Sequence, residues 1–396
     1  MVKVYITGVG IITSLGNSLE SNRDGLKEGR CGITSLDFFS TKYAESLLFG
    51  EIKLSNNQLK DLLKVKDSGV SRTSLLALHA FNQAIKDAEL DAKDLSSPDT
   101  ALIVANTVGG MCLTDELYQD SNQHNVGSEY ISSYDCGSVG IFLQARFGFK
   151  GIVNSINTAC SSSANAIMYG ARLIKKGHAK RVIVGGTDSL AKFTINGFNS
   201  LHILSSGLCA PFDNNRDGLN LGEGAAFLVL EGEDVVDTQK IIAEVKGYSN
   251  ANDAFHPATL SENGDGPYYA MEKALKQAAL KPWDIDFINT HGTGTENNDE
   301  VESKAMIKLF NNKIPDFTST KSNIGHTLGA AGAVEAVFCI LNLVHQEIYP
   351  SLNFKEAITG TGLAPKQSYH KATIKNVMSN SFGFGGNCSS LIFSKV

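Results

Sequence analysis

The sequence predicts an α/β fold built from two similar halves, each a mixed β-sheet covered by helices. Three observations predict it. Apolar strand-like runs alternate with stretches that have helical periodicity. The order of strands and glycine-rich turns in the first half recurs, weakly, in the second. The composition, 42% apolar with 38 Gly but only 8 Pro in 396 residues, suits a large core with many tight turns.

In the first half the strands are expected at residues 4–12, 100–106, 151–158, 181–185 and 225–230. In the second they are expected at 241–249, 287–290, 317–321, 374–379 and 389–394. Helices are expected at 22–28, 72–88, 162–176, 267–279, 299–310 and 330–343. The turns correspond as well. The Asn106-Thr-Val-Gly-Gly turn matches His291-Gly-Thr-Gly-Thr, and the turn into a helix at Cys160 matches the one at His326. The charged stretch E-G-E-D-V-V-D divides the chain, giving domains 1–235 and 236–396.

Bulk properties exclude several classes. The seven cysteines are odd in number and show no C-x-x-C pair, so a disulfide framework is not expected and a reducing cytoplasm is. A net charge of −6 argues against nucleic-acid binding. The N-terminus enters a strand at once without a charged leader, and no run of about 18 apolar residues predicts a membrane span. No G-x-x-x-x-G-K-[ST] motif offers a nucleotide site, and no Cys/His cluster has zinc spacing along the chain.

The chemistry concentrates in three segments. Cys160 lies in N-S-I-N-T-A-C-S-S-S-A-N-A-I-M, where a strand gives way to a helix of small residues. A thiol there meets unpaired N–H groups and the positive end of the helix dipole, and both favour thiolate. Downstream lie T-H-G-T-G-T around His291 and K-S-N-I-G-H-T-L-G-A-A-G-A around His326. One Cys and two His in Gly-, Ser- or Thr-rich turns suggest one active site assembled from distant segments. The other cysteines read as buried small hydrophobes, Cys388 less firmly than the rest.

These motifs, with P-F-D-N-N-R-D-G-L-N-L-G-E-G-A-A in the middle and S-F-G-F-G-G-N near the end, resemble an elongating β-ketoacyl-[acyl carrier protein] synthase nearly end to end. Asp299, Glu302, Lys321 and His326 fall 8, 11, 30 and 35 residues after His291, as the elongating pattern requires. The resemblance implies a thiolase-like fold of duplicated βαβαβαββ halves in five layers, α-β-α-β-α. It implies an acyltransferase that performs a decarboxylative Claisen condensation. An acyl chain moves to Cys160, malonyl carrier loses CO2, and its carbanion attacks the Cys160 thioester to give a 3-oxoacyl chain.

The same resemblance assigns roles. His291 and His326 donate N–H bonds to the malonyl thioester oxygen, Lys321 orients His291, and Asp299 and Glu302 anchor the Lys-containing loop. The amides of Cys160 and Phe384 form a second oxyanion hole, and Phe384, with Phe382 beside it in the same motif, gates the site. Thr107 (where many members carry Gly), Val108 and Phe198 belong to the acyl pocket, and His256 to an entrance loop. Lys60, Lys64, Lys66 and Arg72 form a docking patch for the acidic carrier. No cofactor is expected; a monovalent cation near Asn289, Glu335, Ser379 and Asn380 is. The partners implied are acyl- and malonyl-loaded carrier protein and a second subunit, identical or related. Glu296-Asn297-Asn298, Leu219 and the G-G-N-C-S-S motif depart from the usual pattern, so a polyketide or aryl polyene pathway stands beside fatty acid elongation. A thiolase or an initiating synthase fits less well, because the third catalytic group is His326. A chain-length partner subunit would lack the nucleophilic Cys.

Overall fold

A computed structural model describes residues 2–123, 125, 127–311 and 313–396. Its strands are β1 (Val4–Ile12), β2 (Thr100–Ala105), β3 (Val153–Ile156), β4 (Arg181–Asp188), β5 (Gly224–Gly232), β6 (Ala243–Asn252), β7 (Phe287–Asn289), β8 (Asp316–Thr318), β9 (Glu347–Ile348), β10 (His370–Lys371), β11 (Asn376–Gly383) and β12 (Asn387–Ser394). Ten of them run in the order β3-β2-β4-β5-β1-β6-β12-β11-β7-β8, and β9 pairs with β10 separately. The ladder is thin at its centre, where β1 meets β6 only through Tyr5↔Glu244 and Ile6↔Ala243. Read outward from that seam, each side has the same sequence of pairings. In the first half β1, β5 and β4 are antiparallel and β4, β2 and β3 parallel. In the second β6, β12 and β11 are antiparallel and β11, β7 and β8 parallel.

Helices fill the faces because the inner strands are apolar on both sides. The six residues T-A-L-I-V-A of β2 are all buried, the mark of a strand covered above and below. The Arg72–Asp87 helix, capped by Ser71, which accepts from the Ser74 amide, covers one outer face and forms one core with Leu102, Ile183 and Phe227. Asp265–Ala278 and Glu296–Phe310 cover the opposite outer face around Met271, Ile288 and Met378. Between the sheets lie Ser162–Lys175 and Ala331–His345, whose buried faces share the largest core. Five layers, α-β-α-β-α, result. The two middle helices touch at their starts: a Cβ on Gly332 would lie 2.5 Å from the Ala164 amide nitrogen and 2.8 Å from its Cβ. Only glycine permits that approach, which brings two helix N-termini, and the turns before them, to one place.

Some expectations need correction. The strand expected at 317–321 ends at Thr318, and Lys321 opens the short helix Lys321–Ile324, closed by Gly325 at φ +76°. Helices at Asn56–Leu63, Ala92–Leu95, Thr114–Gln123, Ser138–Phe147 and Lys192–Ser200 were not expected from the sequence; each has ten residues or fewer, too short for a sustained helical period to stand out. The segment Leu328–His345, though broken by Glu335, Asn342 and His345, is by length and mean hydropathy apolar enough to cross a membrane, yet nearly all of it is buried in the middle layer. It is a core helix of the kind hydropathy alone cannot separate from a span.

Candidate active site

The nucleophile turn is held by its own side chains. Ala159 adopts φ +54°, a conformation costly for a residue with a Cβ. Ser162 Oγ accepts from the Thr158 amide (2.8 Å) and donates to the Ala159 carbonyl (2.6 Å), while Ser161 Oγ lies 2.8 Å from the Thr158 carbonyl. Cys160 therefore projects just ahead of the helix, buried at 6% exposure. Against expectation, its thiol is not poised low. Burial pushes it up to about 11, opposed by the Lys321 charge and by the nearby amides of Phe384 and Cys160.

His291 follows β7, and His326 ends the turn after Lys321–Ile324. The rings meet edge to face with centroids 5.4 Å apart. The Cys160 sulfur and one ring nitrogen from each His all lie within 4.8 Å of one another. The hydrogen bonds settle which nitrogens carry protons. An ammonium has three N–H donors. Those of Lys321 go to the His291 carbonyl (2.6 Å), to Glu335 Oε1 and to His291 Nδ1 (3.3 Å). His291 Nδ1 is thus an acceptor and its proton sits on Nε2. His326 Nδ1 accepts from the Leu328 amide (3.3 Å), and its Nε2 is buried without a protein partner. Both imidazoles are held neutral, well below their ordinary value, by burial and by the Lys321 charge. Each ring therefore carries its single proton on Nε2, beside a thiol that lies close to both rings. Although these three side chains match the donor types of a zinc site, Nε2 protonation opposes metal coordination there.

The carboxylates do a different job from the one expected. Glu302 accepts from the His291 and Gly292 amides (2.9 Å each), and Asp299 from the Phe212 (2.8 Å) and Thr293 (2.9 Å) amides. They anchor the T-H-G-T-G loop rather than the Lys321 loop, whose anchor is Glu335. Burial raises the Glu302 carboxyl to about 7 in spite of its donors.

A pocket of about 350 Å³ opens on Cys160, His291 and His326, walled by Phe382, Phe384 and Phe198, with Ala258, Thr259 and Leu260 at its mouth. Phe384 stacks on Phe198 at 5.7 Å, and Phe382 packs against the His291 ring at 5.8 Å. Val108 lies beyond the Phe198 wall, in an apolar cluster with Leu190, Ile195 and Leu219. Thr107 does not narrow the pocket: its hydroxyl donates to Asp188 (2.7 Å). His256 stands exposed on the loop that carries Ala258, whose amide it accepts (3.2 Å), and its ring is outside the pocket lining.

The docking patch loses one member. Arg72 is locked to Glu223 and to the carbonyls of Leu54 (2.9 Å) and Ile52 (3.0 Å), with its side chain 11% exposed. Lys64 and Lys66 are exposed and Lys60 half-buried. At the expected cation position the side chains of Asn289 and Ser379 and Glu335 Oε2 are buried with no partner, which fits oxygen ligation of an ion. Asn380 does not fit, because it donates to Glu302 (3.1 Å) and accepts from Ser390 (3.0 Å).

Sequence reasoning missed Asp188. Its buried carboxylate accepts from the Val108 (2.8 Å) and Gly329 (2.7 Å) amides besides Thr107, joining the acyl-pocket loop to the His326 loop. Burial raises it to about 6. Its partner across the fold is 141 residues away, so no local pattern could announce it.

Residues 1–235 match the N-terminal domain of β-ketoacyl synthases, and residues 242–355 the C-terminal domain. The chain belongs to the β-ketoacyl synthase family. A β-ketoacyl synthase is an acyltransferase that lengthens an acyl chain by decarboxylative condensation, and a buried Cys facing two histidine donors suits that chemistry. Among similar β-ketoacyl synthases, the 3-oxoacyl-[acyl-carrier-protein] synthase 2 of Synechocystis sp. is 32% identical, with 99% of this chain and 98% of that one covered. The mitochondrial 3-oxoacyl-[acyl-carrier-protein] synthase of Arabidopsis thaliana is 31% identical over 100% of this chain and 93% of its own. Among solved structures, the ishigamide ketosynthase/chain length factor superposes with a TM-score of 0.93 at 28% identity, covering 100% of this chain and 99% of that one. A ketosynthase in complex with its chain length factor from Xenorhabdus doucetiae gives 0.89 at 31%, covering 100% and 98%.

Proposed function

We propose that this β-ketoacyl synthase uses Cys160 as acyl acceptor and the Nε2–H groups of His291 and His326 as donors to the malonyl thioester, with acyl carrier protein delivering both substrates. The observation that carries the reading is the convergence of the Cys160 thiol with one ring nitrogen of each histidine, all within 4.8 Å, with Lys321 and the Leu328 amide each engaging an Nδ1 and leaving the Nε2 proton to donate.

In the first step the Cys160 sulfur attacks the acyl thioester carbon. The negative charge on oxygen meets the amides of Cys160 and Phe384, and the carrier thiol leaves with the proton that Cys160 gives up. The thiol's high resting value keeps it protonated until a substrate supplies that acceptor. In the second step the malonyl carboxylate leaves as CO2, and its bonding pair becomes an enolate whose oxygen takes both histidine N–H bonds. Donors aimed at a charge that forms only in the transition state are worth roughly 3–4 kcal/mol each. The enolate carbon then attacks the Cys160 thioester, and sulfur departs as thiolate beside the Lys321 charge. Lys321 and Glu335 act through His291 as positioning residues. Phe384, stacked on Phe198, closes the way toward Val108, and its ring turns aside when the acyl chain enters. A monovalent cation held by Asn289, Ser379 and Glu335 would balance Glu335 Oε2. Lys60, Lys64 and Lys66 receive the acidic carrier, without Arg72.

A second subunit is part of the reading. The outer edge of β3 has no strand partner among the described residues, and exposed Ile141 and Ile131 stand nearby in sequence. A heterodimer with a related chain-length subunit is the favoured form over a homodimer, because structural neighbours at TM-scores of 0.93 and 0.89 include ketosynthases described with chain length factors.

Intact-mass spectrometry with a panel of acyl carrier thioesters tests the nucleophile. Wild type gains one acyl group, Cys160→Ala gains none, and condensation falls by at least about a thousandfold. An acyl adduct on Cys160→Ala would overturn the assignment.

A further inference from the structure

The two amides that face the Cys160 sulfur come from different halves of the chain. One belongs to the nucleophile turn, the other to the loop between β11 and β12. Nothing covalent sets their separation. The loop is glycine-rich, with Gly385 at φ +80° and Gly386 at φ +77°, so its backbone alone does not fix where the Phe384 amide points. At its upstream end Gly383 lies against the nucleophile turn: a Cβ there would come within 2.8 Å of the Thr158 carbonyl and 3.2 Å of the Cys160 nitrogen.

At the downstream end stands Asn387. Its Oδ1 accepts three hydrogen bonds, from Ser161 Oγ (2.7 Å), Asn165 Nδ2 (2.9 Å) and Asn250 Nδ2 (2.6 Å). Ser161 directly follows Cys160, Asn165 is in the Ser162–Lys175 helix and Asn250 is on β6. Asn165 Nδ2 also donates to Thr158 Oγ1 (2.8 Å), and Asn165 Oδ1 accepts from Ser389 Oγ (2.8 Å). One side-chain oxygen therefore ties the segment holding the Phe384 amide to both sides of Cys160. This residue lies in the G-G-N-C-S-S stretch that the sequence showed as unusual.

We infer that Asn387 is a positioning residue that sets the spacing of the Cys160 and Phe384 amides, and through it the rate of acyl transfer to Cys160. The inference rests on the acyl-transfer reading above. It also assigns the loop a fixed end: when the Phe384 ring swings, residues 384–386 move between Gly383 and an Asn387 that stays in place.

Two reactions of the same sulfur separate this role from a merely structural one. Acyl transfer builds charge on a carbonyl oxygen and needs both amides. Alkylation by iodoacetamide displaces iodide from carbon, builds no oxyanion and reports only thiolate supply and access. In Asn387→Leu and in Ser161→Ala, quenched-flow mass spectrometry with acyl carrier thioester should show transfer slowed about ten- to a hundredfold, the loss expected of a donor displaced by about an ångström. Iodoacetamide alkylation across pH 7–10 should stay within about twofold of wild type. Because both variants break one link, the double variant should be no slower than the slower single. Parallel loss of alkylation and transfer, multiplied losses in the double variant, or unchanged transfer in both singles would each overturn the inference. If Asn387→Leu does not fold, Ser161→Ala read in both reactions decides alone. A wild-type protein that forms no acyl adduct while alkylating normally would overturn the acyl-transfer reading itself, and this inference with it.

Discussion

The turns at Cys160 and at His326 occupy equivalent places in the two halves, each between an edge strand and a middle-layer helix, and they have become different devices. From β3 to its helix the chain has five residues, 157–161; from β8 to Ala331–His345 it has twelve, 319–330. The short turn is tense, with Ala159 at φ +54°, and presents one atom at a helix start. The long one has room for the Lys321–Ile324 helix, for Gly325 and for Leu328 at φ +52°, and so presents an ammonium and an imidazole in fixed relation. Duplication supplied two converging helix starts. Brevity made one a nucleophile, and added length made the other a donor array.

The largest way to break this contrast is to empty the long turn of its charge. Lys321→Met leaves Glu335 buried and unpaired and frees His291 Nδ1. Stability should fall by about 3–5 kcal/mol, and condensation by about a thousandfold. Adding Glu335→Gln should restore most of the denaturation midpoint but little of the rate. Recovery of both would mean that Lys321 serves only the fold. Next, His326→Ala should slow release of 14CO2 from malonyl carrier about a hundred- to a thousandfold while acylation of Cys160 stays within about tenfold. Equal losses in both steps would erase the division of labour between the turns. Gly332→Ala pushes the helix starts apart. It should cost about 1–3 kcal/mol in denaturant unfolding, and an unchanged midpoint would show that the contact relaxes freely. The smallest effect is in pH. With the thiol pushed up to about 11, alkylation of Cys160 should keep rising from pH 7 to 10. A plateau near pH 7–8 would show that the helix start and Lys321 outweigh burial.

Much of this was legible in the sequence because it is local. All ten strands of the long ladder announced themselves as apolar runs, with only boundary errors, and Cys160, His291 and His326 stand in short glycine- and serine-rich motifs. What stayed hidden depends on distance. Glu335 was read only as an ion ligand, because nothing in A-G-A-V-E-A-V shows that Lys321 faces it as well. Asn387 meets Ser161 across 226 residues. Arg72 looked like one more surface cation beside three lysines, yet pairing with Glu223, 151 residues on, takes it inside. The thiol was misjudged for a related reason: a helix start is visible in a sequence, but the depth of burial that outweighs it is not.

The Ala331–His345 helix carries a cost at the time of synthesis. It is nearly as greasy as a bilayer segment, and it is the last helix of the sandwich to leave the ribosome. Until it emerges, the Ser162–Lys175 helix waits with its apolar side uncovered. Each nascent chain thus passes through a stage in which two sticky surfaces, made far apart in time, must find each other before a chaperone, a membrane or another nascent chain does.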